Sequence, residues 1–252
     1  MKRSKGFYAG MLAGGVVLLA GGCKNNRDTG AVTTKTEQGT SNTPSSDALE
    51  NKQLALVRLV NAIPGEPALV VFAGDSTAFS GVAYKKATAF REIPDDRFNF
   101  KLGSRDKPLA ENRENLSGGG HYTIVAMPDQ GGAQKRNLRV LDDELKPVSP
   151  DKARVRVINA IPGNAEISVF VRGRADPLFD GINFKSEAGW NEFDPIAGTL
   201  EVRPQGKKNV LAREPNIKLE GGKSYTFVVA GTPAKVDIIK IEDDVAKNVS
   251  SN

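Results

Sequence analysis

One histidine, one cysteine and one tryptophan among 252 residues, with no segment that sustains helical spacing, exclude several kinds of chemistry at the outset. A hydrolytic triad or a histidine-based metal site needs histidine in suitable company, and the chain offers only His121, in Gly118-Gly119-Gly120-His121-Tyr122. Those glycines are no phosphate loop, because the Lys-Ser/Thr pair of such a loop does not follow them. Cys23, being alone, forms no internal disulfide. One-sided charge is missing too. The formal net charge of +5 includes Lys2, Arg3 and Lys5, and without these the 35 basic residues become 32 against 30 acidic ones. The remainder is mixed along the chain, not gathered into basic runs, so a nucleic-acid partner is not expected. Hydrophobic content of 39% is sufficient for packed cores.

What the chain does have begins with an export pattern over residues 1–22: a basic start, an apolar stretch from Phe7 to Ala20, then small residues. The apolar stretch is diluted by Gly10, Gly14 and Gly15 and falls short of the about 20 apolar residues of a spanning helix. Leu19-Ala20-Gly21-Gly22-Cys23 resembles the bacterial lipobox, with Leu19 one place further back than in the commonest form. The resemblance implies a lipoprotein signal peptide over 1–22 and lipid (palmitate) on Cys23, hence an exported chain anchored to a bacterial membrane. Since Lys24 is not the Asp that often retains lipoproteins at an inner membrane, the outer membrane is the expected destination. Residues 23–53 are rich in Lys, Asn, Thr, Ser and Gly and bury too little apolar surface to offset ordering entropy. They are expected to form a disordered tether holding the folded part on the order of 30 Å from the membrane.

The strongest internal signal is a duplication. Val57-Arg58-Leu59-Val60-Asn61-Ala62-Ile63-Pro64-Gly65 recurs as Val155-Arg156-Val157-Ile158-Asn159-Ala160-Ile161-Pro162-Gly163, with seven of nine positions identical at a spacing of 98. Phe72 and Phe170, Phe79 and Phe179, Tyr84 and Phe184, Phe90 and Trp190 continue the match, and the spacing reaches 103 at Tyr122-Thr123 and Tyr225-Thr226. A period of this length is a whole domain. Two domains are therefore expected, 54–146 and 152–245, joined through Pro147 and Pro150, with few contacts across the connector and independent folding of each. Short β-branched and aromatic runs separated by Pro, Gly and Asp, among them Leu54 to Val60, Arg97 to Leu102 and Tyr225 to Val229, predict an all-β fold of two tandem immunoglobulin-like β-sandwiches with roughly seven strands each.

The repeated Asn-Ala-Ile-Pro motif, the Phe-Asp-Gly-Ile step at 179–182, the Gly-Gly-Lys-Ser-Tyr-Thr run at 221–226 and a closing acidic pair resemble the domain of unknown function numbered 4397. The resemblance covers nearly everything after residue 53. It implies a bacterial envelope module, often in tandem and behind export or lipoprotein signals, with no assigned reaction. Both copies have Asn where that family usually has His in His-Ala-Ser-Pro.

Few residues invite chemistry. His121 is matched by Ser224 in the second copy, which reads as a surface position and not as a base. Asp95-Asp96, Asp142-Asp143-Glu144 and Glu242-Asp243-Asp244 could offer oxygen to Ca²⁺, but without the spacing of a calcium loop they read as solvated strand ends. The matched aromatics read as core, with Trp190, between Gly189 and Asn191, the exception and a candidate ligand contact. Asn61 and Asn159 are candidate ligand-facing residues as well, although Asn beside Pro and Gly more often holds a turn. No cofactor, metal or catalytic residue is expected. The reading is a non-enzymatic binding, adhesion or structural module whose partners are the membrane, through lipid on Cys23, and an envelope protein or polysaccharide. The rival is a carboxylate-based glycan hydrolase of the envelope.

Overall fold

A computed structural model describes residues 53–131, 134–163 and 166–243. The export segment, Cys23, the tether up to Lys52 and the last residues from Asp244 lie outside the described residues. Among the described residues every regular element is a strand, and none is a helix that could cross a membrane.

The first repeat contains β1 (Leu54–Asn61), β2 (Leu69–Ala73), β3 (Ser76–Val82), β4 (Arg91–Pro94), β5 (Arg97–Leu102), β6 (Ala110–Asn115), β7 (His121–Pro128) and β8 (Arg136–Asp142). The second contains β9 (Ala153–Asn159), β10 (Ile167–Val171), β11 (Phe179–Ile182), β12 (Glu187–Phe193), β13 (Ile196–Pro204), β14 (Ala212–Leu219), β15 (Ser224–Thr232) and β16 (Lys235–Asp243). Each repeat is a sandwich of two four-stranded sheets. The first pairs β4-β1-β7-β8 with β3-β2-β5-β6, and the second pairs β12-β9-β15-β16 with β11-β10-β13-β14. In each, the first and seventh strands run parallel: Leu56 faces His121 and Asn61 faces Ala126, while Arg154 faces Ser224 and Asn159 faces Val229. The duplication is thus reproduced in register as well as in residue type.

Strand alternation decides where the cores lie. Val57 and Leu59 of β1 join Val71, Phe79, Phe100, Leu102 and Ile124 inside the first sandwich. Val155 and Val157 of β9 join Val169, Phe179, Leu200, Val202 and Phe227 inside the second. The intervening positions of the same strands do not face water. Val60, Val125, Met127 and Leu141 pack against Ile158, Val228, Ile239 and Ile241 in a third core lying between the repeats. The order is therefore outer sheet, inner sheet, inner sheet, outer sheet, with apolar side chains in all three gaps.

The third core corrects the expectation of few contacts between repeats. A sheet covered on both faces needs near-continuous apolar runs, which is what Val57 to Val60 and Phe227 to Ala230 are, and the burial of each large aliphatic side chain contributes about 1.5 to 3 kcal/mol. The connector is packed as well. Gly222 N–H donates to the Ser149 and Lys152 carbonyls at 3.0 and 2.9 Å, and a Cβ on Gly221 would stand 1.9 Å from the Pro150 oxygen, so only glycine admits this approach.

This arrangement makes a prediction. Ile158→Ala opens a cavity in the shared core and should cost about 2 to 4 kcal/mol in chemical denaturation. Hydrogen exchange should then accelerate at both Ile124 and Phe227, one in each repeat. Acceleration at Phe227 alone would mean that the repeats open separately.

Candidate functional site

The strands that build the third core also carry charge into it. Arg58 and Arg156 occupy the middle of β1 and β9 on the face turned to the other repeat and are 3% and 1% exposed. A buried guanidinium must be neutralised and hydrogen-bonded. Arg58 Nε donates to Thr123 Oγ1 at 2.7 Å, and its Nη2 lies 2.5 Å from Asp243 Oδ1 and 3.5 Å from Asp143 Oδ2. Arg156 Nε donates to Thr226 Oγ1 at 2.9 Å, and its Nη2 pairs with Asp143. Each threonine hydroxyl in turn donates a hydrogen bond to the carboxylate of its repeat: Thr123 to Asp143 at 2.7 Å, and Thr226 to Asp243 at 2.6 Å. Two arginines and two aspartates thus close a network that crosses the seam in both directions. Burial pushes the Asp243 carboxyl above its ordinary range, opposed by Arg58, Thr226 and Arg156.

The network overturns the reading as solvated strand ends for Asp143 and Asp243, which are 0% and 2% exposed, while Asp96, Asp142, Glu144 and Glu242 are exposed as expected. It also fixes which residues of the two runs correspond. Asp142 faces Tyr122 and Glu242 faces Tyr225, so Asp143 corresponds to Asp243. The signal that could have revealed the network is Arg in a run otherwise apolar, repeated in both copies with a matching Thr and a matching Asp. Among the described residues no cluster of His, Cys, Asp and Glu is arranged to hold a metal ion, and the Ca²⁺ candidates include no such group there.

The remaining candidates fall around this seam. Asn61 and Asn159 are fully buried and do not face a ligand. Asn61 Nδ2 donates to the Val82 carbonyl and Oδ1 accepts from Ile63 N–H, both at 2.9 Å; Asn159 repeats this with Ile182 and Ile161, both at 3.0 Å. Each amide fixes the chain reversal after the first strand, with Gly65 at φ 75°. Trp190 is half-buried. Its ring lies under the guanidinium groups of both Arg154 and Arg156 at 4.6 Å, and its Nε1 donates to the Asp143 carbonyl at 2.9 Å. It therefore packs on the charge network, as Phe90 does under Arg58 at 4.8 Å in the first repeat. Of the matched aromatics, Phe79 and Phe179 lie in the sandwich cores, Tyr84 and Phe184 edge the third core, and Phe72 and Phe170 lie half-buried under Arg105 and Arg203. His121 is no open surface position: it meets Phe90 edge-on at 5.5 Å, burial lowers its pKa, and its counterpart Ser224 is buried. Cys23 lies outside the described residues.

Although the asparagines are buried, the loops that follow them meet. Ile63, Pro64, Pro162 and Gly163 line one cleft of about 720 Å³ at the end of the seam, together with Pro128 to Gly131, Arg136, Thr232 and Pro233 of the adjoining hairpins. Gln130 Nε2 bridges to the Gly163 carbonyl at 2.9 Å. Lys185 lies 2.6 Å from Asp129, and Arg136 pairs with Glu66. Rigid proline rings and few polar groups suit the cleft to an apolar or ring-shaped group.

The architecture defines a tandem all-β protein whose two repeats share a sealed, charge-bearing seam. The chain belongs to the family of the domain of unknown function DUF4397, whose profile matches residues 55–170 and 153–252. No curated protein matches it. Among solved structures it is similar to the C-terminal domain of AlgF from P. aeruginosa, at 19% identity over 37% of this chain and 99% of that chain, with a TM-score of 0.31.

Two outcomes test the site's construction. Asp243→Ala leaves Arg58 short of a counter-charge and should cost about 3 to 5 kcal/mol. Combining it with Arg58→Met should recover part of that loss, giving a double-mutant coupling of about 1 kcal/mol or more; simple additivity would mean the two do not interact. Asn159→Ala should cost about 1 to 2 kcal/mol by leaving Ile161 N–H and the Ile182 carbonyl unpaired. An unchanged denaturation midpoint would remove its role as a turn post.

Proposed function

We propose that this chain is an exported envelope lipoprotein, held to a bacterial membrane by lipid on Cys23, in which the two repeats work as one non-enzymatic body for binding, adhesion or spacing. The observation that carries the reading is the pairing of a lone cysteine behind Gly21-Gly22 with a polar tether and two repeats sealed to each other. Several acyl chains, at about 0.8 kcal/mol for each buried methylene, make release from the bilayer negligible. A body joined through a core and a charge network keeps its binding loops at a fixed separation, which a mobile pair of domains would not.

The rival, a carboxylate-based glycan hydrolase, needs two carboxylates converging on one cleft. Asp129 is the one carboxylate among the described residues lining the cleft between the loops, and Lys185 engages it. This supports the binding reading. A solvated pair of acids about 5 to 9 Å apart across a cleft would have favoured hydrolysis.

The test is metabolic labelling of the full chain. Wild type should incorporate labelled palmitate and partition with membranes, and Cys23→Ser should do neither. Labelling that survives the substitution would refute lipid attachment at Cys23. Glycan cleavage by the purified chain that is lost in Asp129→Asn would instead favour the hydrolase.

A further inference from the structure

The two repeats share one register, so each serves as a template for what the other contains, and they part company beside the buried arginines. In the second repeat Arg156 turns its Nη1 to Glu187, whose Oε2 lies at 3.7 Å. Glu187 faces Ile158 on the neighbouring strand. Its counterpart in the first repeat is Ala87, which faces Val60, the counterpart of Ile158. Each arginine thus has two carboxylates, but those of Arg156 engage both Nη2 and Nη1, whereas both of those of Arg58 lie on Nη2. Its Nε and Nη2 contact Thr123, Asp143 and Asp243, while its Nη1 makes no hydrogen bond or ion pair.

Space stands where the glutamate would be. Arg58 forms part of the wall of a groove of about 760 Å³, with Lys85, Lys86, Ala87, Phe90 and Lys240 around it. Lys85 is engaged by Asp237 at 3.0 Å, and Glu242, the carboxylate among the lining residues, is engaged by Lys223 at 2.9 Å. Lys86 faces no carboxylate within ion-pair distance and with Arg58 and Lys85 makes the groove basic, whereas Lys240 turns its ammonium away, over the Tyr225 ring and to the Lys218 carbonyl at 3.3 Å. Its floor is a guanidinium held rigid by buried partners, which preserves its orientation for an incoming acid at little entropic cost.

We propose that this groove is a binding site for an acidic peptide segment, one of whose carboxylates takes beside Arg58 the place that Glu187 takes beside Arg156. The template is a glutamate side chain, which favours a peptide over other acids. Lys86 then pairs with a flanking acidic residue. The assignment rests on the binding reading above and names its partner class. Loss of peptide binding would leave the palmitate result untouched, so the two fail separately.

The test is calorimetric titration of the full chain with hexaglutamate, beside oligogalacturonate and inorganic phosphate. Hexaglutamate should bind, with affinity falling as salt rises. Ala87→Glu supplies the missing carboxylate from within and should weaken binding by about tenfold or more while leaving the melting temperature unchanged or higher. Lys86→Ala should weaken it several-fold without touching Arg58, and Lys240→Ala, whose ammonium faces Tyr225, and Lys208→Ala, on an outer-sheet turn, should have no effect. Absence of hexaglutamate binding to the wild type, or undiminished binding to Ala87→Glu, would overturn the site. Tighter binding of oligogalacturonate or phosphate than of hexaglutamate would overturn the assignment to a peptide.

Discussion

The structure depends on the burial of both faces of its two inner sheets. Once β1, β7, β9 and β15 are covered on each side, no position along them is free to be merely polar, and the arginines at their centres must be neutralised by groups that reach the same plane. Asp143 and Asp243 do so from the ends of the last strands, with Thr123 and Thr226 as relays. The seam is consequently specific as well as apolar. Any sliding of one repeat over the other would separate charges from their partners in a medium of low dielectric.

Much of this was legible in the residues. The duplication, the all-β class and the first strand of each repeat followed from the Asn-Ala-Ile-Pro-Gly motif and from alternation, and Arg97 to Leu102 matches β5 at both ends. Strands such as β6, which reads Ala-Glu-Asn-Arg-Glu-Asn, and β14 were not visible, because an outer strand with one wet face carries little hydrophobic signal. Each repeat has eight strands where roughly seven were expected.

The seam was the larger omission. Periodicity reports whether a side chain is buried, but it does not say against which repeat, and the acidic run Asp142-Asp143-Glu144 has the composition of a solvated turn. Only the coincidence of Arg, Thr and Asp at matched places in both copies distinguishes the two cases. Likewise the cleft at the end of the seam arises from how loops of both repeats meet, which no stretch of the chain contains by itself.

The parallel pairing of first and seventh strands bears on how the chain reaches this state. β1 gains its parallel partner only when β7 has formed, and Arg58 gains its nearest counter-charge, Asp243, only when the far end of the second repeat is in place. Contacts of such long sequence separation slow folding, since loop closure precedes the contacts that reward it. A chain interrupted before β16 would keep an unmatched guanidinium and an uncovered apolar sheet. The last strand therefore acts as a completion check on the whole body: without it Arg58 lacks Asp243, and the seam loses Ile239 and Ile241.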